Sequence, residues 1–142
     1  MIQPYIDATH REQVIGLWKT VFDYNDPHNR PEVSIDKKLA ANDGLFFVDL
    51  DGDRIVGTIM GGYDGHRGWI YSVAVAPTHR RLGLGRQLLA HAEKALVALG
   101  AVKINLQIME GNESVVAFYA AAGFKVERRI SMGKRILTNP AP

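Results

Sequence analysis

Two spacings of apolar residues follow one another along this chain, and their order predicts its architecture. Val14, Leu17, Trp18 and Val21 recur at three- and four-residue intervals, which puts them on one face of a helix. The spacing predicts a helix over about His10 to Phe22, capped by Asp7 or Thr9, after a short first strand at residues 1–6. Ser34 is placed to cap a second short helix holding Ile35, Leu39 and Ala40. Between the two, Tyr24-Asn25-Asp26-Pro27-His28-Asn29-Arg30-Pro31 has the composition of a loop. The pattern then turns to strands. These are Leu45 to Leu50, a hairpin turn at Asp51-Gly52-Asp53, and Arg54 to Tyr63, which Gly57 and Gly61-Gly62 should weaken or bulge. Asp64-Gly65-His66-Arg67-Gly68 turns the chain again into Trp69 to Val75, a strongly apolar strand expected at the centre of a sheet.

The helical spacing returns from Gly83 to Leu99, with Leu88, Leu89, Ala92, Leu96 and Leu99 as the buried stripe and Gly100 as the stop. Lys103 to Met109 alternates Ile104, Leu106 and Ile108 with polar residues, as a half-buried strand does. A helix over Glu113 to Ala122 ends at Gly123; Phe124 to Arg128 and Ser131 to Arg135 read as two last strands before a frayed tail at Thr138 to Pro142. Strands joined by tight turns must run antiparallel, whereas the pair joined by the long helix should be parallel. The expected fold class is therefore α/β of the mixed α+β kind. It has a single mixed, mostly antiparallel sheet of about seven strands, helices on both faces and one parallel pair.

Composition narrows this only a little. A chain of 142 residues, 46% hydrophobic, fits a single domain over 1–142 with a real core, and it holds no repeat or linker. The formal net charge of +2 gives no support for a nucleic-acid partner. The absence of cysteine removes thiolate nucleophiles, disulfides and cysteine-bound zinc, and no metal is expected. No basic leader and no apolar run of membrane-spanning length are present, so a cytoplasmic protein without a membrane partner is expected.

The candidate chemistry sits where strand Trp69 to Val75 ends. Val73-Ala74-Val75-Ala76-Pro77 leads into Thr78-His79-Arg80-Arg81-Leu82-Gly83-Leu84-Gly85-Arg86, and the long helix starts there. Helix N-termini carry unpaired amides and a partial positive charge, so they attract anions. Gly83 and Gly85 let the backbone approach phosphate oxygens, and Arg80, Arg81 and Arg86 add charged donors. The pattern describes a diphosphate seat without selecting the diphosphate. The loop lacks the third glycine of a dinucleotide fingerprint, which argues against an oxidoreductase. Farther on, Asn112 is a good helix cap, and Tyr119, nearly two turns later, shares its face at about 10 Å.

Together these two stretches resemble the GNAT superfamily, the Gcn5-related N-acetyltransferases. The Arg80-x-x-Gly83-x-Gly85 loop is similar to the family's acetyl-CoA signature, and Asn112…Tyr119…Gly123-Phe124 to its later motif. The resemblance covers essentially the whole chain. Within the family, Met60 to Gly68 and Asn25-Asp26-Pro27 look like the small bacterial YpeA-type acetyltransferases. It implies acetyl-CoA as co-substrate. The backbone of Val73, Ala74 and Val75 would pair with the pantetheine arm, in a cleft where this strand splays from its parallel neighbour. Amides from Arg81, Leu82, Gly83, Leu84, Gly85 and Arg86 would hold the pyrophosphate. Asn112 would bond the cofactor arm, Tyr119 would protonate the leaving thiolate as general acid, and a backbone N–H would stabilise the oxyanion. The acceptor would be an amine on a small molecule or protein, bound beside Tyr24, Asn25 and Asp26.

The general base has no obvious occupant. The position five residues before Asn112 holds Gln107, an amide, where the ribosomal-protein branch of the family has a glutamate. Strand Trp69 to Val75 has no carboxylate, where the histone branch has one. Asp64, His66 and Glu110 are the candidates. The missing base also motivates an alternative, a non-catalytic CoA-binding sensor or partner module. An exposed C-terminal strand could pair across a homodimer.

Overall fold

The computed structural model describes residues 1–23 and 29–136. They fall into two compact units, 1–107 and 108–142. The first unit contains β1 (Ile2–Pro4), α1 (Asp7–Val21), α2 (Pro31–Ala41), β2 (Phe46–Asp51), β3 (Arg54–Tyr63), β4 (Gly68–Val75), α3 (Leu84–Leu99) and β5 (Ile104–Leu106). Its five strands lie in the order β1-β2-β3-β4-β5. All neighbours are antiparallel except β4 and β5, the pair joined by α3. This is the mixed α/β sheet that the spacing predicts.

The alternation along β2 and β3 divides the core between two helices. Phe46, Val48, Val56 and Met60 pack with Val14, Leu17 and Trp18 of α1, and the Trp18 ring stacks on Phe46 at 5.9 Å. Each such side chain contributes about 1.5–3 kcal/mol by leaving water. The opposite face takes α3. A Cβ at Gly57 would stand 2.8 Å from Leu88 Cδ1, and one at Gly68 2.8 Å from Leu96 Cδ1. Gly57, Gly61 and Gly62 all keep ladder partners, and at Gly57 the helix needs the room. One register slip falls beside Gly57, where Val56 is extra between Gly57 and Ile55, in line with the weakening or bulge expected there; the other falls between Thr58 and Met60, and none falls at Gly61-Gly62.

The helix starts differ from the sequence reading. α1 begins at Asp7 with no side-chain cap. The Ile6 amide donates to His10 Nδ1 at 2.9 Å instead. The Asp7 carboxylate is taken by the Tyr5 hydroxyl at 2.7 Å and by Arg11 at 2.8 Å. Arg11 also reaches Asp36, linking α1 to α2. α2 begins at Pro31, not after Ser34; proline suits a first helical position, where its missing N–H costs nothing.

The second unit holds α4 (Glu113–Ala121). The two strands expected at Phe124 to Arg128 and Ser131 to Arg135 do not form, and β5 is shorter than Lys103 to Met109, so the sheet has five strands and not about seven. A strand needs a ladder partner for its amides and carbonyls, and none pairs with 124–136 among the described residues. Arg129 N instead closes on Glu127 O at 3.0 Å, which breaks the extended run. The C-terminal strand invoked for a homodimer is therefore not a feature of this structure. Among the described residues, no helix is long and apolar enough to cross a membrane.

Candidate active site

β4 outruns its parallel neighbour. Pairing with β5 covers Gly68↔Ile104, Trp69↔Asn105 and Ile70↔Leu106 and stops there, while β4 continues to Val75. On its other side β4 pairs with β3 through a bulge. Thr58 faces Ala74 and Met60 faces Tyr71, so Ile59 alone spans Ser72 and Val73. Ser72 sits at φ 55, in the left-handed region, although it is not glycine. Such a backbone costs about 1–3 kcal/mol and must be held by its surroundings.

The loop after β4 has the make-up of an anion seat. Pro77–His79 forms a 3₁₀ turn, Arg81 has φ 64 and Gly83 φ 80, and α3 starts at Leu84. Gly83 thus takes the left-handed conformation, while Gly85 lies inside the first turn of α3. No side chain caps α3, and its first turn holds no acidic residue. The positive end of the helix dipole is left to something outside the helix. Arg80, Arg81, Leu82 and Arg86 are exposed around it. His79 anchors the start of the loop, with Nε2 at 2.9 Å from Asp51 Oδ2 and Nδ1 at 2.8 Å from Thr78 Oγ1.

In the second unit, Asn112 occupies the cap position of α4 but makes no side-chain cap bond. Its Oδ1 meets Ser114 Oγ at 3.4 Å. Tyr119 is buried on α4, edge-on to Phe118 at 5.0 Å and to Phe124 at 5.6 Å. That apolar setting raises its phenol to about 12, because burial penalises the phenolate.

Two of the base candidates lie in the turn before β4. The Asp64 carboxylate accepts the amides of Arg67 at 2.6 Å and His66 at 2.8 Å, and Trp69 Nε1 stands 3.4 Å away. The amide bonds from Arg67 and His66 hold its carboxyl below the usual carboxylate range. The turn is also at the far end of the eight-residue β4 from the arginine loop, roughly 20–25 Å along the strand. Glu110 is exposed, beside Gly111 at φ 89. Tyr24, Asn25 and Asp26, the residues expected beside the acceptor, lie outside the described residues. A hollow of about 340 Å³ opens at α2, lined by residues including Asn29, Lys37, Lys38 and Tyr71. Lys38 is buried there, bonded to Asp43 at 2.7 Å, to the Tyr71 hydroxyl at 3.0 Å and to the Gly61 carbonyl.

Sequence reasoning missed three groups. Trp18 and Thr58 stand behind the β4 bulge, with Trp18 Nε1 donating to Thr58 Oγ1 at 2.8 Å. A buried indole N–H usually finds an acceptor, and Thr58 is the one hydroxyl in the apolar middle of β3. His79 had no local signal, because its partner is 28 residues away.

Residues 11–124 match the acetyltransferase (GNAT) family. The chain is 38% identical over 128 residues to an acetyltransferase of Yersinia pestis (strain Pestoides F), covering 90% of each. Its fold is similar to that of the apo aminoglycoside 6′-N-acetyltransferase AAC(6′)-Ig of Acinetobacter haemolyticus, with TM-score 0.74, 16% identity and 96% and 99% of the two chains covered. It is likewise similar to AAC(6′)-Iy in complex with a bisubstrate analogue, CoA-S-monomethyl-acetylneamine, with TM-score 0.74, 18% identity and 96% and 98% covered.

Proposed function

The chain belongs to the acetyltransferase (GNAT) family, and from that premise we propose that it moves an acetyl group from acetyl-CoA directly to the nitrogen of a primary amine. One observation carries the reading. β4 continues past Ile70 without β5 and leads into an uncapped helix N-terminus flanked by arginines. An extended polar arm ending in a diphosphate is the ligand that such a strand and seat would suit together.

In this reading Val73, Ala74 and Val75 offer their backbone to the pantetheine arm. Amides from Arg81 to Arg86 take the pyrophosphate, with the Arg80 and Arg81 guanidiniums over it. Asn112 bonds the cofactor arm. The amine attacks the thioester carbonyl, the carbonyl oxygen becomes an oxyanion held by a β4 amide, and the carbon–sulfur bond breaks as the amide forms. Tyr119 is the acid, and burial keeps its proton in place throughout the neutral range. Its phenol is weaker than a thiol of pKa near 8.5, so it stabilises the leaving thiolate by a strong hydrogen bond, and the proton that the attacking nitrogen gives up as the intermediate collapses ends on the sulfur. With Asp64 engaged by its own turn, the amine loses its first proton through His66, Glu110 or water. The acceptor enters at the hollow lined by Asn29 and Tyr71, and the resemblance assigns Tyr24, Asn25 and Asp26 to its binding. A cysteine-free chain using acetyl-CoA fits the cytoplasm.

The test is thiol release from acetyl-CoA against a panel of amines: aminoglycosides, polyamines, lysine-bearing peptides and peptides with free N-termini. Release that depends on one amine class, with the acetylated amine recovered, is expected. Binding of acetyl-CoA without release from any amine would favour the sensor module, and no binding would overturn both.

A further inference from the structure

We infer that Trp18 and Thr58 are positioning residues for the cofactor strand, acting through the carbonyl of Ser72. Thr58 is completely buried and Trp18 nearly so. The Thr58 hydroxyl accepts the Trp18 indole N–H at 2.8 Å and donates to the Ser72 carbonyl at 3.0 Å. Both capacities of the hydroxyl are thus used, in a line running from α1 through β3 to β4.

The carbonyl it reaches belongs to the strained residue of the bulge. At the slip between Thr58 and Met60 the regular ladder is interrupted, and Ser72 stands at φ 55. The carbonyl thus takes a side-chain donor from the neighbouring strand. Without Thr58 the carbonyl loses that bond, and the strain at Ser72 is no longer offset by it, which favours an ordinary strand conformation. A relaxed bulge shifts the β4 register by one residue, and a one-residue slip turns every following side chain and backbone group to the other side. The groups that follow are Val73, Ala74 and Val75, which the proposed function assigns to the pantetheine arm; the inference rests on that reading. The diphosphate seat, by contrast, is built on the loop and on α3, and the His79–Asp51 contact holds the loop independently.

Two ligands separate the two parts. Acetyl-CoA uses strand and seat, whereas its 3′-phosphorylated ADP portion uses the seat alone. Thr58→Val keeps the shape and removes both hydrogen bonds. It should weaken acetyl-CoA roughly three- to tenfold by calorimetry, the range of one or two lost hydrogen bonds, and leave the nucleotide affinity unchanged. Thr58→Ser should restore acetyl-CoA binding. Trp18→Phe deletes only the indole N–H and gives a smaller loss of the same kind, a second route should Thr58→Val fail to fold. Equal weakening of both ligands, or unchanged acetyl-CoA affinity in the folded variants, overturns the inference. A wild-type chain that binds neither ligand overturns the proposed function itself, and this inference with it.

Discussion

His79 of the arginine loop and Asp51 at the end of β2 meet at 2.9 Å, Nε2 to Oδ2. The contact joins a hairpin tip to the first turn of the loop, before the chain reaches Arg81 and Gly83. Asp51 is 69% exposed, so the pair itself is worth about 0–1 kcal/mol. Its effect lies in keeping the loop ordered before ligand arrives. His79→Ala should therefore weaken acetyl-CoA roughly two- to fivefold with the melting temperature almost unmoved. Calorimetry beside a thermal melt checks this, and unchanged affinity would deny the anchor any role in binding.

Gly83 stands at φ 80 with nothing within 4 Å of where a Cβ would be. Space is no obstacle there, but conformation is. A β-branched residue in the left-handed region is strained by about 1–2 kcal/mol or more, and the loop has freedom to escape by changing shape. Gly83→Val should thus lower acetyl-CoA affinity at least about tenfold while the chain still melts cooperatively. Acetyl-CoA should raise the melting temperature of the wild type and not of the variant.

These two positions show what could be read from the chain and what could not. The loop, its glycines and the helix behind it are contiguous, so local chemistry made them legible. The β-α-β order of β4, α3 and β5 was legible for the same reason, since handedness and connection length leave few alternatives. The Ser72 bulge was not. It depends on Thr58 and Trp18, which are remote in sequence, and serine carries no preference for the left-handed region that would announce it. The two C-terminal strands expected at Phe124 to Arg128 and Ser131 to Arg135 do not form, because β-prone residues make a strand only where a neighbour supplies the ladder. Val126 and Ile130 are 84% and 91% exposed. At the site, Asp64 lies in the turn read at Asp64 to Gly68, and its bonds to the amides of His66 and Arg67 are the local kind that an aspartate in a turn makes.

Gly68 opens β4 at a close approach of α3. An added Cβ would lie 2.8, 3.2 and 3.3 Å from three atoms of Leu96, including its Cβ. Leu96 is completely buried in a close-packed interior, where it yields little. Gly68→Val should destabilise the fold by about 1–3 kcal/mol, the usual cost of overpacking, read as a lower denaturant midpoint. Gly65→Ala, in the open turn just before, tests the contrast. Its cost comes from φ 95 and not from a clash, so Leu96→Ala should cost less in the Gly68→Val background than in the wild type, and as much in the Gly65→Ala background as in the wild type.

Tyr119 gives the clearest dependence on pH. Its phenol is raised to about 12 by burial, against about 10 in an unfolded chain. The neutral phenol is thus favoured by folding. That contribution is whole below about pH 10 and is lost as pH climbs through the folded value near 12. Wild type should accordingly lose stability between pH 10 and 12 more steeply than Tyr119→Phe, which cannot ionise there. The rate should follow the same sign. With Tyr119 as the acid, activity rises as the acceptor amine loses its proton and shows no descending limb from this phenol until about pH 11 or above. Tyr119→Phe should cut kcat about a hundredfold and leave the acetyl-CoA dissociation constant within about twofold. A wild-type rate that falls with an apparent pKa near 9, and falls identically in Tyr119→Phe, would assign the limb to another group. Unchanged kcat in the variant would remove Tyr119 from the chemistry altogether.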